Sequence, residues 1–125
     1  MTSPQVEGTE PRGRDIAARP AWLGALLGSL ISAPALIGAI ASAGAGHGDY
    51  VIARLAFPFP MLLTRLTGDI IGPLSIACAI AQLPLYGALI GGCIARRRMW
   101  PVAALLVAHL ALAVIAFSGF LPNFS

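Results

Sequence analysis

His47, Asp49 and Asp69 bring one imidazole and two carboxylates to a single polar stretch of an otherwise apolar chain. A zinc site needs three or four ligands at supporting spacings, and covalent catalysis needs a positioned nucleophile beside a base. A step of two residues followed by one of twenty fits neither pattern. Gly44, Gly46 and Gly48 around His47 instead spell a helix end and a turn, with Asp49 as a cap for the next helix. Arg65 and Asp69, at i and i+4, have the spacing of an interfacial ion pair. No P-loop, metalloprotease motif or Cys-pair metal site occurs. No residue therefore qualifies as catalytic, cofactor-binding or metal-binding, and the chain does not read as an enzyme.

Gln82 and His109 are the most polar side chains deep inside apolar runs. Ionisable residues at such depth are functional candidates by default, as proton relays or substrate contacts. The plainer reading is a hydrogen-bonded pair that fixes helix register. The runs that carry them are joined only by Arg96–Arg98, so they form an antiparallel hairpin with His109 opposite about residue 85. Gln82 then lies one helical turn from His109, within reach of a direct bond. Haem between two histidines is the cofactor to test in a small membrane subunit. His47 stands at the edge of the apolar region, whereas His109 is about ten residues inside its helix, roughly 15 Å deeper. They cannot ligate one iron within one chain, which leaves only a haem shared between copies through His109 or His–Met ligation, and no cofactor is expected. Cys78 and Cys93 would stand roughly 22 Å apart on a helix, far beyond the ~7 Å limit for a disulfide. They read as apolar fillers.

These residues belong to a chain of 125 residues that is 58% hydrophobic and 10% charged, with a mean hydropathy of +0.84. Soluble domains carry roughly 25% charged residues. So little polar surface cannot coat a water-soluble globule, and the lipid bilayer is the expected partner. All eight basic residues are Arg and flank apolar runs, which is the pattern of membrane orientation. A nucleic-acid reader would carry a continuous basic face. Arg without Lys, amid abundant Ala, Gly and Pro, suggests GC-rich coding DNA and a bacterial source.

Residues 1–20 read as a disordered cytoplasmic tail. Residues 21–125 read as one membrane domain with spans at about 21–45, 70–95 and 100–120, each near the roughly 20 residues a crossing needs. Between the first two spans, residues 47–69 hold an uncharged stretch of only ten residues, Leu55–Thr64, too short to cross. Pro58 and Pro60 break any single helix there. Asp49 is placed to cap a short helix through Phe57, and Pro60 to open a second that ends before Gly68. The segment reads as an amphipathic interfacial element or a shallow re-entrant one.

Six Arg lie in the tail and the Arg96–Arg98 turn, against Arg54 and Arg65 between the first two spans. This split predicts an inner-membrane protein with its N-terminus inside and its C-terminus outside. Trp22 and Trp100 fall at the inner ends of their spans, where amphipathic rings prefer the headgroups. A competing reading makes the first span a signal peptide cleaved after Ala43, but its run of about twenty residues exceeds the roughly 7–15 of a signal core.

Small residues at every fourth position allow helices to approach closely. The first span offers Gly24, Gly28 and Ser32, then Gly38, Ser42 and Gly46. The second offers Gly87 and Gly91, and the third Ala104 and Ala108. Pro34 and Pro84 lie deep in the first two spans, as kinks or as breaks at a binding site. The expected architecture is an all-α membrane protein of three transmembrane helices with the 47–69 segment between the first and second. The expected function is a non-enzymatic accessory or assembly subunit, or a homo-oligomer, in a larger membrane complex. The alternative is an oligomeric transporter or channel for a small solute or protons, lined by Pro34, Gln82, Pro84 and His109.

Overall fold

The computed structural model describes residues 13–44 and 50–121. Its elements are α1 (Gly13–Gly44), α2 (Val51–Ala56), α3 (Pro58–Leu63), a 3-10 turn (Thr64–Thr67), α4 (Pro73–Ala95) and α5 (Trp100–Phe117). No strand occurs among the described residues. Three segments, Ala18–Ala43, Pro73–Ala95 and Trp100–Phe117, are long and apolar enough to cross a membrane. By length and composition this is a multi-pass membrane protein, and the three segments match the expected spans to within a few residues.

The tail expected over residues 1–20 needs correction at its end. Residues 1–12 lie outside the described residues, but the chain is already helical from Gly13. Turn-forming residues stop at Gly13, and Arg14 to Arg19 are all compatible with a helix. Pro20 costs only the bond to the Ile16 carbonyl, close to the polar end of the helix.

α1 and α4 pack antiparallel along their glycine faces. A Cβ on either Gly24 or Gly87 would run into the other's carbonyl group. One turn away, Gly28 faces the Leu83 carbonyl, and Gly91 faces that of Pro20. Ser32 continues the stripe, buried, with its hydroxyl donating to the Gly28 carbonyl at 2.8 Å. The two glycine pairs therefore serve one contact inside a single chain. Gly38, from the second stripe, packs on Ile52 of α2. Gly46 lies outside the described residues, while Ala104 and Ala108 of α5 are turned outward.

The buried residues gather around α2 and α3. Ala39 of α1, Ala53, Phe57 and Met61 of the short helices, Ala79 of α4, Ala116 of α5 and Leu121 form one cluster. Pro58 and Thr64 are fully enclosed. α5 meets the rest of the chain through α3 and α2 more than through α4. The two short helices thus act as the wedge that joins the α1–α4 pair to α5.

Their boundaries differ from the expectation by a proline. α2 starts at Val51, after Tyr50 in the left-handed region (φ 45°), and stops at Ala56. Pro58 rather than Pro60 opens α3. A residue before proline is sterically pushed out of the helical region, and Phe57 sits at φ −130°, ψ 53°. Pro60 then falls in the first turn of α3, where backbone N–H groups have no intrahelical partner to lose. Asp49, the expected cap, lies outside the described residues.

Candidate functional site

A helix broken by prolines leaves carbonyls with no donor four residues ahead. Ala56 stands four residues before Pro60, which has no N–H to give. Gln82, about half-way along α4, supplies the missing donor: its Nε2 lies 3.1 Å from the Ala56 carbonyl oxygen. His109, about half-way along α5, places Nε2 3.0 Å from the adjacent Leu55 carbonyl. Two side chains from two long helices therefore hold two consecutive carbonyls at the α2–α3 break. In an apolar surrounding each such carbonyl, left bare, would cost several kcal/mol by the rule that every backbone polar group in lipid must be satisfied.

The direct Gln82–His109 bond expected from the hairpin is replaced by this arrangement. The two residues do converge on one place, but the backbone of the short helices occupies the space between them. Hairpin geometry places His109 next to Tyr86, within a residue of the expected position, with ring centroids 5.7 Å apart and planes at 78°. The Tyr86 hydroxyl is 3.4 Å from His109 Nδ1. A carbonyl only accepts, so His109 Nε2 must carry a hydrogen. In the singly protonated ring Nδ1 is then an acceptor, and the Tyr86 hydroxyl donates to it. A hydroxyl, an imidazole and a carbonyl are thereby joined in one short chain.

Two buried polar atoms near this point lack a hydrogen-bond partner among the described residues: Gln82 Oε1 and Ser75 Oγ. Ser75 lines an apolar cavity of about 280 Å³ between α1, the short helices and α4, along with Phe57, Met61 and Thr64. Arg54 of α2 is also buried, at 8% exposure. Tyr86 and Arg54 are the members of this region that sequence reasoning missed. For Tyr86, the signal is its place opposite His109 in the hairpin. Arg54 adjoins a ten-residue apolar stretch that cannot reach across, and so reads as a flanking charge.

The remaining candidates fall elsewhere. Asp69 is exposed, in the left-handed region at φ 60°, and takes both of its bonds from Arg65 Nη1, at 2.8 and 2.9 Å. Arg65 also lies over the Phe120 ring, 5.1 Å from its centroid, tying the end of the 3-10 turn to the end of α5. His47 and Asp49 lie outside the described residues, and no metal-binding group of three His, Cys, Asp or Glu occurs among those described. Pro34 is exposed on α1, while Pro84 packs against Gly28 at the α1–α4 crossing. Cys78 and Cys93 are both free thiols. The one hydroxyl that stands beside a base in this site is that of Tyr86, at His109 Nδ1. The arrangement can hold a broken helix, accept or donate single hydrogen bonds, and offer Gln82 Oε1 to a donor. No protein-family model matches this chain, and neither a curated protein nor a solved structure matches it.

Proposed function

We propose that this chain is a non-enzymatic bacterial inner-membrane protein that acts as an accessory or assembly subunit, or as a homo-oligomer. Its N-terminus lies inside and its C-terminus outside, on the six-to-two Arg split. In this reading α2, α3 and the 3-10 turn form a shallow re-entrant element entering from the outer side. The observation that carries it is the pair of bonds from Gln82 and His109 to the Ala56 and Leu55 carbonyls, half-way along α4 and α5. A segment resting on headgroups would draw those bonds from water. α1 remains in the mature chain, because removing it after Ala43 would strip the glycine face of α4 of its partner.

The accessory reading is favoured by how the polar groups are used. Gln82 and His109 each donate to backbone, and Pro34 is exposed on α1. Most of α5 is left for other surfaces, with only 11% of its apolar window buried. The second reading, a transporter or channel built by oligomerisation, draws support from one observation, the unpartnered Gln82 Oε1 beside a broken helix. Extraction from native membranes in mild detergent, followed by mass measurement, separates the two. Co-migration with a larger partner supports the accessory reading. A closed oligomer that conducts protons or a small solute in liposomes supports the second. A lone monomer that conducts nothing overturns both.

A further inference from the structure

At the end of the molecule opposite the short helices, α1, α4 and the start of α5 leave a notch of about 420 Å³. Its walls are mostly apolar: Ala18 and Ala21 from α1, and Ala88, Leu89, Gly92 and Cys93 from α4. The space over Gly92 is open, since even a Cβ there would only come within 3.9 Å of Ala21. Pro101 of α5 forms another wall, and Arg96 stands at the rim. From Ala88 to Arg96 the notch runs eight residues along α4, or roughly 12 Å. That is the length of the upper part of an acyl chain. We infer that this notch holds one anionic phospholipid, its acyl chain against Ala88 and Gly92 and its phosphate diester at Arg96.

Charge complementarity chooses this occupant. Arg96, Arg97 and Arg98 are all exposed, and among the described residues none of them pairs with a carboxylate. Asp69, paired with Arg65, is at the far end of the molecule. Basic pockets between membrane helices recognise anionic headgroups because the phosphate gains charge-assisted bonds while the chain stays in an apolar groove. A free phosphate would satisfy Arg96 alone and leave the groove unused. A zwitterionic lipid would fill the groove but set its own cation beside the Arg96 guanidinium. The inference rests on the proposed membrane location, but not on which leaflet this end occupies.

The chain carries its own reporters, because its only two tryptophans flank the notch. Trp22 follows Ala21 and Trp100 precedes Pro101, and they are 71% and 70% exposed. The full chain is reconstituted in bilayers containing brominated phosphatidylglycerol or brominated phosphatidylcholine, and tryptophan quenching gives relative binding constants. The anionic phosphatidylglycerol is expected to win by roughly fivefold, the gain typical of one Arg at a membrane surface. Arg96→Gln should bring the ratio to near one, whereas the Arg97→Gln/Arg98→Gln double variant should keep more than half of the preference. Gly92→Leu, which fills the groove and spares every charge, should also remove it. Free inorganic phosphate should not compete. If the double variant loses as much as Arg96→Gln, or if phosphate competes, the preference is diffuse surface charge or simple ion binding and the notch is not a lipid site. Equal quenching by both lipids in the wild-type chain overturns the inference directly. An absence of quenching by either lipid would instead refute the membrane reading itself.

Discussion

Replacing Gln82 by Met tests whether the α2–α3 break depends on its borrowed donor. Met keeps the volume of the side chain, so the change is confined to hydrogen bonding. Gln82 is 5% exposed, and its Nε2 bond to the Ala56 carbonyl is the only side-chain bond it makes among the described residues. Two effects oppose each other. The Ala56 carbonyl becomes an unsatisfied buried acceptor, a loss of about 1–3 kcal/mol. The unpartnered Gln82 Oε1 disappears as well, and that recovers part of its own desolvation cost. The net destabilisation should be about 1 kcal/mol, within the ~0.6–1.7 kcal/mol measured for polar contacts between membrane helices. Gln82→Ala should cost more, because it adds a cavity to the same loss. The assay is reversible unfolding in detergent, paired with hydrogen exchange of the amides that flank the break, Phe57 bonded to Ala53 and Met61 bonded to Phe57. Both amides should exchange faster in Gln82→Met. Joining it to His109→Leu should cost less than the sum of the two, by about 0.5–1.5 kcal/mol, because both side chains hold one short piece of backbone. Unchanged stability together with unchanged exchange at Phe57 and Met61 would refute the idea that Gln82 supports the break.

Gly87→Ala should destabilise the α1–α4 contact by about 1–3 kcal/mol, since the new Cβ meets the Gly24 backbone and no side chain can yield to relieve it. Gly38→Ala, whose Cβ would meet only the Ile52 side chain at 3.6 Å, should be close to neutral in the same unfolding assay. Asp69→Asn should change stability by less than about 0.5 kcal/mol, because its pair with Arg65 is exposed and Asn tolerates the left-handed backbone. In a background lacking Cys78 and Cys93, Thr67→Cys should react with an impermeant maleimide added outside, while Thr64→Cys, fully buried, should stay protected until the fold is opened. A phosphatase reporter fused after Ser125 should be active on the outer side of the inner membrane, and an inactive one would reverse the proposed orientation.

Length and composition by themselves determined the three membrane helices. A run of about twenty uncharged apolar residues has one low-energy outcome in lipid, because only a helix satisfies its own backbone there. The same local logic placed a break in the 47–69 segment, where Pro58 and Pro60 withhold donors, and paired Arg65 with Asp69 at helical spacing. The choice between Pro58 and Pro60 as the start of α3 was also local, but it turns on the backbone of Phe57, which single-residue preferences resolve poorly. Tertiary structure alone decided the partners. Gly24 and Gly87 carry the same motif whether they meet in one chain or between chains, and only the α1–α4 pairing shows that they meet each other. Gln82 and His109 were legible as the polar residues of the apolar helices, and their convergence came from the short Arg96–Arg98 turn. Their acceptors were not legible. A carbonyl has no letter in a sequence, and the Leu55 and Ala56 carbonyls became the partners only once the proline break carried them between α4 and α5.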